Sequence, residues 1–339
     1  MNRLLNGDVG SGKTVVAALA ALNVVLSGYQ AVMMAPTEIL ASQHFGTIKN
    51  MFQGLPISLG LLTGSEHRLF NDGRDQVIPR KDFFKRLSGG EIDFLIGTHA
   101  LIEDRVEFSR LALVIVDEQH RFGVRQRKSL RERVGPEGFT PHLLSMTATP
   151  IPRTLALVLY GDLDISYLPE MPKNRQPIIT KIVASEKRGA AYDFIAKQVN
   201  FGRQIFVICP LIDSSDKLDV KSAKEEFERL KGIFPSFRLG LVHGKLSAKG
   251  GSASGGKSKA DIMRDFQAGE IDLLVSTSVV EVGVDIPNAS VMMIEGAERF
   301  GLAQLHQFRG RVGRGEHQSY CLLFTESRSP TTVSRLTAL

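Results

Sequence analysis

The sequence predicts an α/β protein of two tandem, doubly wound parallel-sheet domains. Short unbroken apolar runs at 111–116, 143–146, 205–209 and 273–276 alternate with segments of helix length. Such strands, apolar on both faces, belong to parallel sheets covered by helices on each side. Strand-like segments of the first half also return in the same order in the second. Finally, 339 residues suit two domains of about 150 residues each.

Composition narrows the class. Apolar residues make up 43% and charged residues 23%, with a mean hydropathy of -0.02, which excludes disordered, collagen-like and membrane-bundle chains. The net charge of +6, concentrated in the second half, permits an anionic partner without demanding one. Cys209 and Cys321 form no Cys-x-x-Cys pair or metal-ligand spacing and read as buried thiols of a reducing, cytoplasmic protein. The uncharged run 15–36 is neither a membrane span nor a signal peptide: Asn23, Ser27, Gly28, Tyr29 and Gln30 divide it into a helix and a short strand at 31–35.

The internal echo consists of three pairs. Leu59-Gly60-Leu61-Leu62-Thr63-Gly64 returns as Leu239-Gly240-Leu241-Val242-His243-Gly244. The run 90–98, Gly-Glu-Ile-Asp-Phe-Leu-Ile-Gly-Thr, returns at 269–277 as Gly-Glu-Ile-Asp-Leu-Leu-Val-Ser-Thr. More loosely, 31–36 matches 205–210. Nearly constant spacing predicts two lobes of one topology. Three prolines at 169–177 mark the linker, so the predicted domains are 1–168 and 178–326, followed by the start of a C-terminal extension at 327–339. The Gly/Ser-rich stretch at 249–257 reads as a surface loop.

Gly7-Asp8-Val9-Gly10-Ser11-Gly12-Lys13-Thr14 fits G-x4-G-K-[ST], after a strand-like segment at 3–6 and before a strong helix former. Glycines let backbone wrap phosphate, amides at the helix start face the anion, Lys13 reaches the β/γ oxygens, and the Thr14 hydroxyl can ligate magnesium. The pattern predicts a nucleoside triphosphate site. Its complementary acid follows the strand at 111–116 as Asp117-Glu118. A strand ending there presents both carboxylates at the ligand-binding edge of the sheet, Asp117 for magnesium and Glu118 for the attacking water. Arg309, Arg311 and Arg314 in the second lobe supply guanidiniums for the γ-phosphate. The second lobe has no sequence equivalent of Lys13, which predicts one nucleotide per chain.

These residues resemble the helicase motors of superfamily 2. The strings Asp117-Glu118-Gln119-His120-Arg121-Phe122-Gly123-Val124, Thr147-Ala148-Thr149-Pro150-Ile151-Pro152-Arg153, Tyr160-Gly161-Asp162-Leu163-Asp164 and Gln304-Leu305-His306-Gln307 are similar to those of the RecG family of ATP-dependent DNA helicases. The related translocase Mfd usually reads Asp-Glu-Glu-His and lacks the Leu-Tyr-Gly-Asp string, so Gln119 and Tyr160-Gly161 favour RecG. The resemblance implies two RecA-like domains, ATP and Mg2+ as cofactors, and a monomeric motor on forked or branched duplex DNA. It implies catalytic roles for Lys13, Glu118, Gln307, Arg311 and Arg314, nucleotide contacts from Gly283 and Asp285, and coupling through His120, Thr147 and Thr149. Strand contacts fall at Pro36, Thr37, Thr63, Gly64, Thr98, His99, His243, Gly244 and Thr277. The echo pairs Gly64 with Gly244 and Thr98 with Thr277, so each lobe offers similar groups to successive phosphates. Helix caps and turns are the alternative use of any single one of these Thr or Gly residues.

Against the family pattern, the upstream adenine-contacting segment and fork-binding wedge are expected to be absent from this sequence. Ser334-Arg335-Leu336 looks like the entry to the translocation motif. Weak nucleotide binding and no fork regression are the expectations for such a segment. The other readings of the same residues are an Mfd-like double-stranded DNA translocase and an ATP-dependent nucleic-acid-binding switch without productive unwinding.

Overall fold

The computed structural model describes the chain except for residues 9, 104, 119–139, 148–162, 170–175, 211–215, 243–257, 278–285, 314 and 328; of residues 216–222 and 260 it describes the backbone alone. The chain divides into two compact units, Met1–Met171 and Pro172–Leu339. Most of the expected linker and the Gly/Ser-rich loop lie outside the described residues.

In unit 1 the described strands are β1 (Asn2–Gly7), β2 (Gln30–Met34), β3 (Leu59–Leu62), β4 (His67–Asn71), β5 (Arg74–Val77), β6 (Phe94–Gly97), β7 (Leu111–Val116), β8 (His142–Thr147) and β9 (Asp164–Leu168). They form one sheet in the order β5-β4-β3-β6-β2-β7-β8-β1-β9. Pairing is parallel throughout except for the β3-β4-β5 meander at one edge. Asp72 and Gly73, both at positive φ, make the tight turn of its hairpin. Helix α1 (Lys13–Leu26) is Ala-rich and packs through Ala17, Ala18 and Ala21, small side chains that let it lie close to the sheet. Helices α2 (Glu38–Met51) and α3 (Arg80–Ser88) also flank the sheet.

Unit 2 contains β10 (Ile179–Val183), α4 (Arg188–Asn200), β11 (Gln204–Ile208), α5 (Asp216–Ile233), β12 (Leu239–Val242), α6 (Lys259–Gln267), β13 (Leu273–Ser276), β14 (Ala289–Ile294), α7 (Leu302–Arg309), β15 (Tyr320–Phe324) and α8 (Pro330–Thr337). Its parallel sheet runs β10-β15-β14-β11-β13-β12. Read from the other end, this order matches β3-β6-β2-β7-β8-β1 strand for strand. The doubly wound α/β class predicted by the apolar runs is therefore present in each unit.

The echo segments occupy equivalent strands, β3/β12, β6/β13 and β2/β11, and the packing shows why they are alike. A Cβ on Gly60 would come within 3.0 Å of Ile92, Leu95 and Phe83, and one on Gly240 within 2.9 Å of Ile271, so a larger residue on either strand would press on the side chains packed over it. Gln30 and Gln204, each at the head of a central strand and each buried, perform the same task. Gln30 Nε2 donates to the carbonyls of Leu87 and Ile92, and Gln204 Nε2 to those of Phe266 and Ile271. Each amide thereby ties the end of a helix to the turn entering the next strand, satisfying carbonyls that burial would otherwise leave unpaired. Among the described residues no helix is long and apolar enough to cross a membrane.

Candidate nucleotide site and strand-contact edge

The carboxyl ends of β1, β8 and β7 are neighbours, with Asn6 level with Thr147 and Val116 level with Ser145. This register brings the phosphate-loop motif, Thr147 and Asp117-Glu118 to one edge of the unit 1 sheet. The loop turns through Gly10 and Gly12 at φ of 85° and 91°, conformations that favour glycine. A Cβ on Gly7 would lie 2.4 Å from Ser11 Oγ, so the loop closes tightly over its own start. Ser11 Oγ is buried and has no hydrogen-bond partner among the described residues. Helix α1 begins without a side-chain cap and without an acid in its first turn, which leaves its positive end open to an anion. Lys13 Nζ donates to the Gly7 and Asp8 carbonyls, each at 2.8 Å, and Thr14 follows it in the first turn.

Asp117 is buried, and both of its carboxylate oxygens are held. Oδ1 accepts the Glu118 amide at 3.0 Å, and Oδ2 lies 2.8 Å from His44 Nε2. Burial alone would push the Asp117 carboxyl up, but the His44 hydrogen bond and charge, the Lys13 ammonium and the Glu118 amide outweigh it and hold the group below the usual carboxylate range. Glu118 adopts a left-handed φ of 49°, a strained conformation for a side-chain-bearing residue that turns the chain sharply after β7. His44 was not among the sequence candidates. It lies 73 positions before Asp117, and no local motif links the two.

The expected strand-contact residues of unit 1 line the rest of the same edge, after β2, β6 and β3. Met34 is level with Gly97, and Gly97 with Leu62. Pro36 and Thr37 precede α2, and the Thr37 hydroxyl accepts the Leu40 amide as the helix cap. Thr63 is buried, and its Oγ1 accepts the amides of Ser65 and Glu66, which commits the hydroxyl to a turn beside exposed Gly64. Thr98 is buried and His99 exposed at the start of a short 3-10 helix. The hydroxyls of Thr37 and Thr63 thus follow the cap and turn alternative.

In unit 2, Thr277 is buried after β13, Gln307 is on α7, and Arg311 is buried just beyond that helix. Val9, His120, Thr149, His243, Gly244, Gly283, Asp285 and Arg314 lie outside the described residues. By topology Lys13 has a counterpart that the sequence motif does not reveal: Arg188, the first residue of α4, as Lys13 is the first of α1. Glu295 follows β14 as Asp117 follows β7, and its amide donates to the Ile208 carbonyl as that of Asp117 donates to Met34. Arg188 grips Glu295 with two hydrogen bonds of 2.8 Å, and Arg229 on α5 adds a third at 3.0 Å.

The donor set of unit 1 suits ATP with a magnesium ion. An anionic carboxylate, a hydroxyl in the first helical turn and an uncapped helix start match a hard cation that shares its shell with phosphates. Among the described residues no group of three His, Cys, Asp or Glu side chains could hold a metal by itself, so the nucleotide would complete the cation's shell.

Two family models match the chain, DEAD/DEAH box helicase over residues 1–158 and Helicase conserved C-terminal domain over residues 186–316. An ATP-dependent DNA helicase RecG of Synechocystis sp. is 50% identical over 99% of this chain and 38% of its own length. One from Bacillus subtilis is 50% identical over 99% of this chain and 46% of its own length. A solved structure of RecG bound to a three-way DNA junction superposes with a TM-score of 0.77 at 42% identity, covering 100% of this chain and 41% of that one. The chain therefore spans less than half the length of these relatives. Both helicase domain models thus match in tandem, and along almost its whole length half of the chain's residues are identical to those of RecG proteins.

Proposed function

We propose that this chain is the ATP-hydrolysing motor of a RecG-type helicase that moves on branched DNA. The observation that carries the reading is the union of an uncapped, glycine-wrapped helix start with a buried Asp117, its carboxylate held by His44 and the Glu118 amide, at one sheet edge. The relatives named as ATP-dependent DNA helicases and the RecG structure with a three-way junction support the choice of DNA.

Backbone amides at 7–14 and Lys13 bind the phosphates, while Thr14 and Asp117 hold the cation. Bound magnesium would neutralise charge on the β- and γ-phosphates. Glu118, set just beyond the strand by its left-handed turn, orients the attacking water and accepts its proton. Gln307, Arg311 and Arg314 answer the charge that develops on the γ-phosphate, and Gly283 with Asp285 contact the nucleotide. His120, Thr147 and Thr149 couple hydrolysis to motion. Pro36, Thr37, Thr63, Gly64, Thr98, His99, His243, Gly244 and Thr277 meet the DNA backbone, those with committed hydroxyls through backbone amides. Such contacts position a strand without reading its sequence.

The test is ATP turnover by the 339-residue chain with and without forked duplex DNA. Glu118→Gln is expected to lower kcat by about 10²- to 10⁴-fold. Arg311→Ala is expected to lower it by about 10³-fold or more. Turnover indifferent to both changes would contradict the motor.

A further inference from the structure

We propose that His44 is a positioning residue for the cation-binding carboxylate of Asp117, held in place by α2, the helix that Thr37 caps. The inference rests on the proposed role of Asp117. His44 Nε2 and Asp117 Oδ2 are 2.8 Å apart, with side chains only 9% and 11% exposed, so water does not compete for the bond. The imidazole sits in the second turn of α2, a helix anchored to the sheet by buried Leu40, Ala41, Phe45 and Ile48. Its ring therefore cannot follow Asp117 if that carboxylate rotates. With the Glu118 amide on the other oxygen, the carboxylate plane is fixed from two sides.

The geometry leaves the acid usable. Among the described residues one hydrogen-bond donor reaches each oxygen of Asp117, and each carboxylate oxygen has a second lone pair for a cation or its water. Unit 2 shows that the fold repeatedly places this helix against this acid. α5 follows β11 as α2 follows β2, and from it Arg229 reaches Glu295, the counterpart of Asp117. There two guanidiniums supply three hydrogen bonds to the carboxylate. Unit 1 makes the same helix-to-acid connection through an imidazole, which orients the oxygen and leaves a coordination direction open. Residues that orient metal ligands in this way commonly change metal affinity by about 10- to 100-fold when removed.

The experiment measures Mn2+ binding by electron paramagnetic resonance in the presence of ADP, using the whole chain with His44, His44→Leu, His44→Gln or Asp117→Ala. Thermal unfolding of each variant accompanies it. His44→Leu is expected to weaken Mn2+ binding by about 10-fold or more. His44→Gln, whose amide donates a hydrogen bond from a similar reach, is expected to restore most of that loss, although both variants remain folded. Mn2+ affinity unchanged in His44→Leu, or a loss that His44→Gln does not recover, would overturn the proposal. Mn2+ affinity unchanged in Asp117→Ala would overturn the cation assignment beneath it, a separate failure.

Discussion

Lys13 and Asp117 in unit 1 and Arg188 and Glu295 in unit 2 stand at the same places in the same topology, and each acid is met by a side chain of the equivalent helix, His44 or Arg229, yet the two sets have opposite fates. In unit 1 the helix-start cation turns to the carbonyls of its own loop, and among the described residues the acid takes its hydrogen bonds from an imidazole and an amide. In unit 2 the helix-start cation is a guanidinium bound directly to the acid by two hydrogen bonds. The loop between strand and helix differs as well: 8–12 is glycine-rich, whereas 184–187 reads Ala-Ser-Glu-Lys. The second unit thus ties its helix-start cation to its own carboxylate, whereas in the first Lys13 turns to loop carbonyls. Arginine suits that closure because its planar fork meets a carboxylate at two points, as a lysine cannot. The hydrogen bond to Glu295 raises the Arg188 pKa above its already high ordinary value.

The largest expected stability effect separates the two acids. Glu295→Ala strands the Arg188 guanidinium, whose side chain is only 21% exposed, and takes one of two carboxylate partners from Arg229, which keeps its pair with Glu226. A loss of about 3 kcal/mol is expected, the low end of the range for breaking a buried pair, because Arg229 retains Glu226 and water. Asp117→Ala removes one imidazole partner and is expected to cost about 1–2 kcal/mol. Calorimetry should show a larger drop in Tm for Glu295→Ala. Equal shifts would mean that the unit 2 cluster is no more a structural closure than the unit 1 site.

A smaller, pH-dependent difference sharpens the comparison at a second pair of equivalent acids. Oδ2 of Asp93 accepts the Ser58 amide, and Oδ2 of Asp272 the Arg238 amide. Burial pushes Asp93 up, against the Ser58 amide and the Arg110 charge. Burial also acts on Asp272, but the Arg238 hydrogen bonds and charge prevail and hold it down. A lowered folded-state pKa adds stability above the unfolded value and loses it as pH falls through the folded one; a raised pKa makes ionisation costly, and acid relieves that cost. Asp272→Asn is therefore expected to destabilise by up to about 1 kcal/mol at pH 7, since Arg238 is largely exposed. That loss should fade towards pH 3. Asp93→Asn should be neutral or stabilising at pH 7 in urea unfolding. The same sign for both at pH 7 would contradict the assignment.

The legible parts of the sequence were those written locally or twice. The phosphate loop and Asp117-Glu118 are contiguous strings, and the echo predicted equivalent strands, on which Gly60 and Gly240 lie close beneath packed side chains. Contacts between distant segments left no such trace. His44 reads as one more polar residue on a helix until β7 brings Asp117 beside it. Gln30 reads as a break in an uncharged run, although its amide ties two carbonyls across the sheet. Arg188 stayed hidden because its loop lacks the glycines by which a phosphate seat is recognised, and only the strand order reveals its place. The β4-β5 hairpin was missed for a different reason: β5 is exposed along its whole length and carries no apolar signal.

The central claim is that the chain has one nucleotide seat, built on Lys13 and Asp117, and a second that its own Arg188–Glu295 pair has filled. Equilibrium binding of a fluorescent ATP analogue, with stoichiometry, tests it most directly. The expected result is one nucleotide per chain, lost in Lys13→Ala and kept in Arg188→Ala. Two nucleotides per chain, or binding that survives Lys13→Ala and disappears in Arg188→Ala, would contradict it.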